Sequence, residues 1–321
     1  MAAGIPDALI VGGGLSGLAL CQVLCAAGQS VTVLDRGRRV GGRCATFQKG
    51  GWIFDHGAQF FTARQPRLRQ LIEDWRGPGK PVPWLIGPGG QVRYALPKGM
   101  WSLAAQLLRR AEEGGGKLAL HTSCQVDFLH RSSAGFTAQT RGGGAFTGRR
   151  LFLTMPAPQL LGLAAELLPQ ELRRELEAVR YRPTWTALLG LSEQGRSLAG
   201  GWAVEDPVLH WVSADHDKVA GSLPALTLHA GEGWSAAHLE DPPASVQREL
   251  LAASRRILGE LPVEWAMVHR WRYATALPAP TPGGYRWDAA AGVGIAGDGL
   301  AGPRVESALE SGWGLGEAAS G

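Results

Sequence analysis

Long apolar runs are missing from this chain. No stretch of its 321 residues approaches the roughly 20 apolar residues of a membrane span, so none is expected. The N-terminus lacks the basic segment of a secretory signal, and its first apolar run starts after Asp7 and breaks at Gly12. Cysteine is scarce. The four present (Cys21, Cys25, Cys44, Cys124) make no CxxC pair and read as reduced thiols in a cytoplasmic protein. The eight histidines form no HxH or HExxH spacing, so no metal site is expected. The net charge of +4 comes from scattered arginines. Without a basic run or face, nucleic acid is not an expected partner, and an anionic ligand is only weakly indicated. Neither an internal repeat nor a low-complexity tract interrupts the chain. What remains is a chain that is 45% hydrophobic, long enough for about two domains and a sizeable core.

Glycine is where the sequence is rich. Ala8–Val11 is a short apolar run that reads as a buried strand. Leu15 to Ala27 reads as a helix stopped by Gly28, and Ser30–Leu34 as a second buried strand ending at Asp35. The turn between the first strand and the helix holds Gly12, Gly14 and Gly17 in G-x-G-x-x-G spacing. Gly12 permits the tight turn, Gly14 lets a pyrophosphate approach the backbone, and Gly17 lets helix and strand pack closely. The first helical residues, Leu15 and Ser16, offer free N–H groups at the positive end of the helix dipole. Asp35 lies 18 residues past Gly17 and is placed to accept hydrogen bonds from a ribose. The βαβ context makes this a dinucleotide site rather than a glycine-rich turn.

Three further segments favour FAD over NAD. Arg36 leads into Gly41-Gly42-Arg43. The two glycines let the chain fold back over the same helix N-terminus, and Arg43 brings a planar, permanently charged fork to the pyrophosphate. Taken alone, Arg43 reads equally well as a solvated surface arginine. In Phe54–Thr62, Gly57-Ala58 allows close passage of a flat ligand, Gln59 can hydrogen-bond it, and Phe60 and Phe61 can wall it. The alternative there is a buried aromatic turn. Near the C-terminus an apolar strand, Val293–Ala296, runs into Gly297-Asp298, and a helix is expected from about Arg304. Asp298 suits a ribityl hydroxyl. N–H groups around Val305 suit the flavin N1/O2 edge, where negative charge develops on reduction.

These residues resemble the FAD-dependent amine-oxidase superfamily. Within it, FDHGAQFF around Gly57, LTMPAPQLL at Leu153–Leu161, HRWRYA at His269–Ala274 and the compact length resemble the renalase family. No cysteine lies near the C-terminal flavin motif, so the FAD is expected to be non-covalent, and the resemblance places Val126 where the family has its adenine-contacting valine. It aligns His229 with a pocket histidine suited to a carboxamide, and His210 and Trp211 with another pocket strand.

The rest of the chain reads as a helix at Trp101–Glu113, strands at Lys117–His121, Gln125–Leu129, Phe136–Thr140 and Leu151–Thr154, and a helix at Glu166–Val179. Strands at Thr184–Leu191, Val208–Ser213, Ala225–Ala230 and Trp265–Trp271 flank a helix at Pro242–Gly259. The expected architecture is an α/β two-domain flavoprotein. A Rossmann-type FAD domain (1–75, 114–158 and 288–321) would accept an inserted substrate domain (76–113 and 159–287) of mostly antiparallel sheet with helices. Twelve tryptophans are expected in the core apart from Trp211 and Trp271.

The family resemblance implies an oxidase that takes hydride from the 2- and 6-dihydro isomers of NAD(P)H to flavin N5, yielding NAD(P)+ and, with O2 as acceptor, hydrogen peroxide. No nucleophile–base constellation is apparent. Hydride transfer from a dihydropyridine needs orientation and stacking more than proton transfer. The candidates are therefore positioning residues: Phe60 beside the flavin, His229 on the carboxamide, Trp271 walling the slot, and Arg64 and Arg272 on a substrate phosphate. A satisfied core or surface role remains open for each. Two other readings stay open, an amine oxidase with an aromatic cage and a non-enzymatic flavin-containing binding protein.

Overall fold

The computed structural model describes residues 4–277 and 282–321. The chain forms two compact units. The first comprises Met1–Gly42, Leu103–Arg180 and Ala276–Gly321. Its six-stranded sheet runs in the order Tyr285–Asp288, Val293–Ala296, Arg150–Leu153, Ala8–Val11, Ser30–Leu34, Lys117–His121. All neighbours are parallel except the edge strand Tyr285–Asp288. The central strand Ala8–Val11 is buried on both faces, which is why it reads as an unbroken apolar run. The helix Leu15–Ala26 is buried over most of its surface, and Val305–Ser320 lies along it. A Cβ on Gly312 would come within 2.1 Å of the Ser16 carbonyl oxygen, and one on Gly316 within 2.6 Å of the Val23 Cβ. The Trp313 indole N–H donates to Gln22 Oε1 at 3.1 Å. A three-stranded antiparallel sheet, Val126–Ser132, Gly135–Thr140 and Ala145–Gly148, belongs to the same unit.

The second unit comprises Arg43–Ser102 and Tyr181–Thr275. Its five-stranded sheet runs in the order Gly201–Ala203, Leu209–Ala214, Ala225–Ala230, Arg180–Leu191, Val263–Leu277, and its first four strands pair antiparallel. The helix Pro243–Leu258 covers one face through Val246, Leu250 and Ala253, against Trp185, Leu226 and Leu228. A smaller core of Phe54, Leu188 and Ala225 is packed by Trp52 and Trp265. Phe47 stacks on Trp265 with ring centroids 5.7 Å apart.

The mixed α/β class, with a Rossmann-type sheet and a mostly antiparallel one, is as expected from the sequence. The helix expected over Glu166–Val179 is interrupted. A 3-10 turn, Ala165–Leu167, is followed by an extended Leu168 and a new helix, Gln170–Ala178, because Pro169 disfavours helical backbone in the residue before it. The compact units also divide the chain differently from the expected domains. Residues 43–75 belong to the second unit, and residues 103–113, 159–180, 276–277 and 282–287 to the first. Residues 278–281 of the expected substrate domain lie outside the described residues. No helix among the described residues is long and apolar enough to cross a membrane.

Candidate functional site

In the first unit the glycine turn is built as a cradle. Gly12 has φ +114°, and its N–H donates to the Leu34 carbonyl at 2.8 Å. A Cβ on Gly17 would fall 2.0 Å from the Gly12 carbonyl oxygen, so only glycine lets this helix start so close to the strand. Gly14 differs. It caps the helix in extended conformation without a side-chain hydrogen bond, and a Cβ there would meet nothing within 4 Å. Open space thus faces the first helical turn, whose amides need an outside acceptor. The buried Ser16 hydroxyl has no hydrogen-bond partner among the described residues. The Gly41 N–H donates to the Gly13 carbonyl at 2.7 Å, so the Gly41-Gly42 stretch folds back over this turn. Gly42 passes so near that a Cβ on it would lie 3.4 Å from the Gly14 Cα.

Asp35 closes the cradle. Its Oδ2 accepts from the Gly13 N–H at 2.6 Å and its Oδ1 from the Gly37 N–H at 2.7 Å. Burial raises its carboxyl pKa despite those bonds and the nearby Arg36. Each oxygen keeps a second acceptor site for a ribose. The Gln159 amide, turned oxygen toward Arg36, accepts from both of its terminal nitrogens at 3.1 and 3.2 Å. Val126 begins the strand Val126–Ser132, paired with Thr140. At the C-terminal motif, Gly297 has φ +154° and open space at its Cβ position. Its N–H donates to Ser311 Oγ at 2.8 Å. Asp298 is buried in the first turn of a short helix, Asp298–Ala301, and Arg304 precedes Val305 at the start of the terminal helix. Uncapped amides, an orphaned hydroxyl and two open glycine positions fit a phosphate-bearing dinucleotide.

In the second unit, the segment Asp55–Phe60 is the spine on which candidate residues hang. A fully buried Lys218 lies between two fully buried carboxylates, 3.2 Å from Asp55 Oδ2 and 3.0 Å from Asp215 Oδ1. Its Nζ also donates to the Gln59 carbonyl at 3.0 Å and to Gln59 Oε1 at 2.9 Å. Burial alone would strip the ammonium, but the two carboxylates hold its pKa above the usual value. Burial pushes the Asp215 carboxyl up to about 6, against the pull of Lys218. Asp55 Oδ1 also accepts from Thr46 Oγ1 at 2.5 Å and the Met100 N–H at 2.8 Å.

This triad fixes the Gln59 amide. With its oxygen on Lys218, its Nε2 donates to the Asp55 carbonyl and lies 3.4 Å from His229 Nε2. Burial, with Lys218 and His210 adding, lowers the His229 pKa to about 4, so the imidazole is neutral at pH 7. A neutral ring facing an amide N–H through Nε2 carries its proton on Nδ1.

Trp211 sits opposite His229 in the sheet register, and its buried indole nitrogen has no hydrogen-bond partner among the described residues. Phe60 lies 5.8 Å from Trp211, centroid to centroid. The Arg93 guanidinium lies over both rings, 4.5 Å from Phe60 and 5.7 Å from Trp211. Trp271 belongs to a neighbouring aromatic group. Its indole N–H donates to the His56 carbonyl at 2.8 Å, its ring stacks on His56 at 5.3 Å, and His269 lies 4.3 Å away. Burial, then His269 and His229, lowers the His56 pKa to about 3. Gly57 must be glycine, since a Cβ there would lie 1.9 Å from the Arg43 carbonyl oxygen. The Ala58 N–H takes that carbonyl at 3.0 Å.

Four expected residues are placed otherwise. Arg272 does not join Trp271. It lies on the opposite face of its strand, because side chains alternate, and forks onto Glu240 at 2.6 and 3.0 Å. His210 is exposed beside a bulge, while Trp211 turns inward. Arg43 commits Nη1 to the Tyr273 and Ala274 carbonyls, both at 3.1 Å. Arg64 is exposed and hydrogen-bonds Gln91. Sequence reasoning missed Lys218, Asp215, His56, His269 and Arg93. Asp215 and Lys218, three apart in one helical turn, were the legible signal. Arg93 had none.

Comparison with known proteins places these features. Residues 10–75 match the NAD(P)-binding Rossmann-like domain. Residues 84–314 match the family described as flavin containing amine oxidoreductase. The chain is 26% identical to renalase of Mus musculus over 296 residues, covering 83% of this chain and 84% of that protein. A shorter stretch of 104 residues is 33% identical to all-trans-retinol 13,14-reductase of Rattus norvegicus, 29% of this chain and 17% of that one. Among solved structures, a putative protoporphyrinogen oxidase from Exiguobacterium sp. 255-15 shares the fold with a TM-score of 0.73 at 17% identity, over 100% of this chain and 99% of that one. Wild-type putrescine oxidase bound to putrescine does so with a TM-score of 0.69 at 14% identity, over 98% of each chain. The protein is thus an FAD-dependent oxidoreductase, and the chain belongs to the flavin-containing amine oxidoreductases.

Proposed function

We propose that the protein oxidises dihydronicotinamides reduced at the wrong ring carbon, the 2- and 6-dihydro isomers of NAD(P)H, and returns NAD(P)+ and, with O2, hydrogen peroxide. When bound, FAD supplies the hydride acceptor and passes the electrons to O2. In the first unit, Gly12, Gly14, Leu15, Ser16 and Gly17 receive the pyrophosphate of FAD and Asp35 a ribose. Asp298 and the Val305 amide serve the flavin end. In the second unit, Phe60 and Trp211 wall a flat ring and His229 orients its carboxamide. A cytoplasmic location, suggested by four unpaired thiols, belongs to the same reading.

The observation that carries this reading is the Gln59–His229, Phe60–Trp211 arrangement. It stacks and orients, with a neutral imidazole and an unsatisfied indole N–H. A dihydropyridine gives up hydride without a base, so alignment supplies most of the help it needs. The likeness to mouse renalase over most of both chains supports the same reading.

Amine oxidation is a second reading, favoured by the family match. The Arg93 cation over Phe60 and Trp211 speaks against an ammonium-bearing substrate at that face. The test is anaerobic mixing of holoprotein with partially borohydride-reduced NAD, with ordinary NADH and a panel of amines as controls. Rapid bleaching of the flavin by the isomers alone supports the proposal. Bleaching by amines moves the protein to the second reading.

A further inference from the structure

We propose that Arg93 is the anion-recognising residue of the substrate face, taking a phosphate group of the substrate on the open edge of its guanidinium. This rests on the reading of Phe60, Trp211 and His229 as that face.

Arg93 is half-buried in the strand Val92–Ala95. Among the described residues it has no hydrogen-bond or ion-pair partner. Four other arginines of the second unit are committed to carboxylates. Arg270 and Arg272 share Glu240, Arg182 holds Glu232 and Arg256 holds Asp206. Arg93 instead spends its flat face on two aromatic rings. Stacking uses the face of a guanidinium and leaves the in-plane N–H groups at its edge unspent. Those donors match a phosphate or carboxylate in bidentate geometry.

Two neighbours favour this use. Gly87 keeps space bare for the guanidinium, since a Cβ on it would lie 2.8 Å from Arg93 Nε. Gln91, two residues before Arg93 in extended backbone, accepts from Arg64. A second guanidinium is thereby tethered to the face of the strand that carries Arg93. The buried indole nitrogen of Trp211, whose ring lies 5.7 Å from the Arg93 guanidinium, has no hydrogen-bond partner among the described residues. Cation, flat walls and a neutral imidazole together describe a planar heterocycle carrying a phosphate ester.

The test is a ladder of substrates on the holoprotein: borohydride-reduced isomers of nicotinamide riboside, its 5′-mononucleotide and the dinucleotide, followed by stopped-flow flavin reduction. Loss of one charged hydrogen-bonded contact corresponds to roughly 10- to 100-fold in affinity. Arg93→Gln is expected to raise the half-saturating concentration of the two phosphate-bearing isomers by about that factor and that of the riboside far less, with Arg93→Lys in between. Gly87→Ala keeps the charge, has an ordinary backbone to accommodate it (φ −86°), and displaces the guanidinium, so it is expected to show the same selective loss. An equal loss for all three substrates, or none, overturns the proposal. In parallel, inorganic pyrophosphate is titrated into wild-type and Arg93→Gln holoprotein by calorimetry. Binding that disappears in the variant supports the proposal, and binding that persists, or is absent from the wild type, overturns it. If no isomer reduces the wild-type flavin, the substrate reading fails and the pyrophosphate titration alone decides on Arg93.

Discussion

Trp211 and His229 stand directly across from each other on adjacent antiparallel strands. Gln59 and Phe60, consecutive in the chain, touch one each. A loop and a sheet thus meet residue for residue, and His229 is held by an amide whose own orientation is set by Lys218. His229→Ala is expected to slow flavin reduction by the dihydronicotinamide isomers up to about tenfold, the worth of one neutral hydrogen bond, with FAD retained. Stopped-flow spectra check this. An unchanged rate removes His229 from substrate binding.

Lys218 tests the same arrangement through stability. Lys218→Met leaves Asp55 and Asp215 facing each other in the interior. Breaking a buried ion group by removing one partner costs about 3–5 kcal/mol, and a loss of that order is expected in urea denaturation. The triple variant Lys218→Met, Asp55→Asn, Asp215→Asn removes the charges together and is expected to recover part of it. Equal stability of Lys218→Met and wild type would mean that the carboxylates are already protonated.

Two glycines of one motif are expected to behave differently. Gly17→Ala drives a Cβ into the Gly12 carbonyl and is expected to damage the fold itself. Gly14 has ordinary φ of −72° and nothing near its Cβ position, so Gly14→Ala is expected to fold normally yet retain FAD at least about tenfold less tightly, because the backbone loses close approach to a phosphate. The ratio of flavin to protein absorbance, with circular dichroism for fold, separates the two. Full FAD occupancy in Gly14→Ala would remove the cradle from cofactor binding.

The histidines give a pH dependence with a definite sign. His56 and His229 titrate near 3 and 4 in the fold but near 6.5 in the unfolded chain. The unfolded state therefore binds more protons below pH 6.5, and stability present above that pH is lost as it falls toward 4. Asp215, raised to about 6, acts oppositely: its contribution is complete in acid and is lost as pH rises through 6. The isolating comparison is His56→Gln. Between pH 6 and 4 its stability is expected to fall less steeply than wild type, by about 1 kcal/mol per pH unit, the worth of one proton. Parallel curves would mean that His56 titrates normally in the fold.

Much of the first unit was legible because its signals are local. Gly12, Gly14, Gly17 and Asp35 lie within one βαβ stretch, and the structure brings them together through Gly13 and Gly41. The second unit was less legible because its contacts join distant segments. Asp55 meets Lys218 across more than 160 residues, and nothing near Arg93 in sequence announces Phe60 and Trp211. Arg272 misled because a charge beside Trp271 in sequence is on the other face in a strand. One missed element was readable: Gly50-Gly51, both with positive φ, is the tight turn of a hairpin joining Thr46–Lys49 to Trp52–Asp55.

The close packing of Gly312 and Gly316 on the helix Leu15–Ala26 bears on the order of events during synthesis. The helix that opens the cradle leaves the ribosome well before its packing partner, Val305–Ser320. Until Val305–Ser320 emerges, the Ser16 backbone and Val23 lack the neighbour that buries them. The second unit, whose residues end at Thr275, is free to fold earlier. The cradle on Leu15–Ala26 is therefore expected to reach its final packing, and with it full hold on a cofactor, only once Val305–Ser320 has docked, and the first unit without that helix exposes apolar surface open to aggregation.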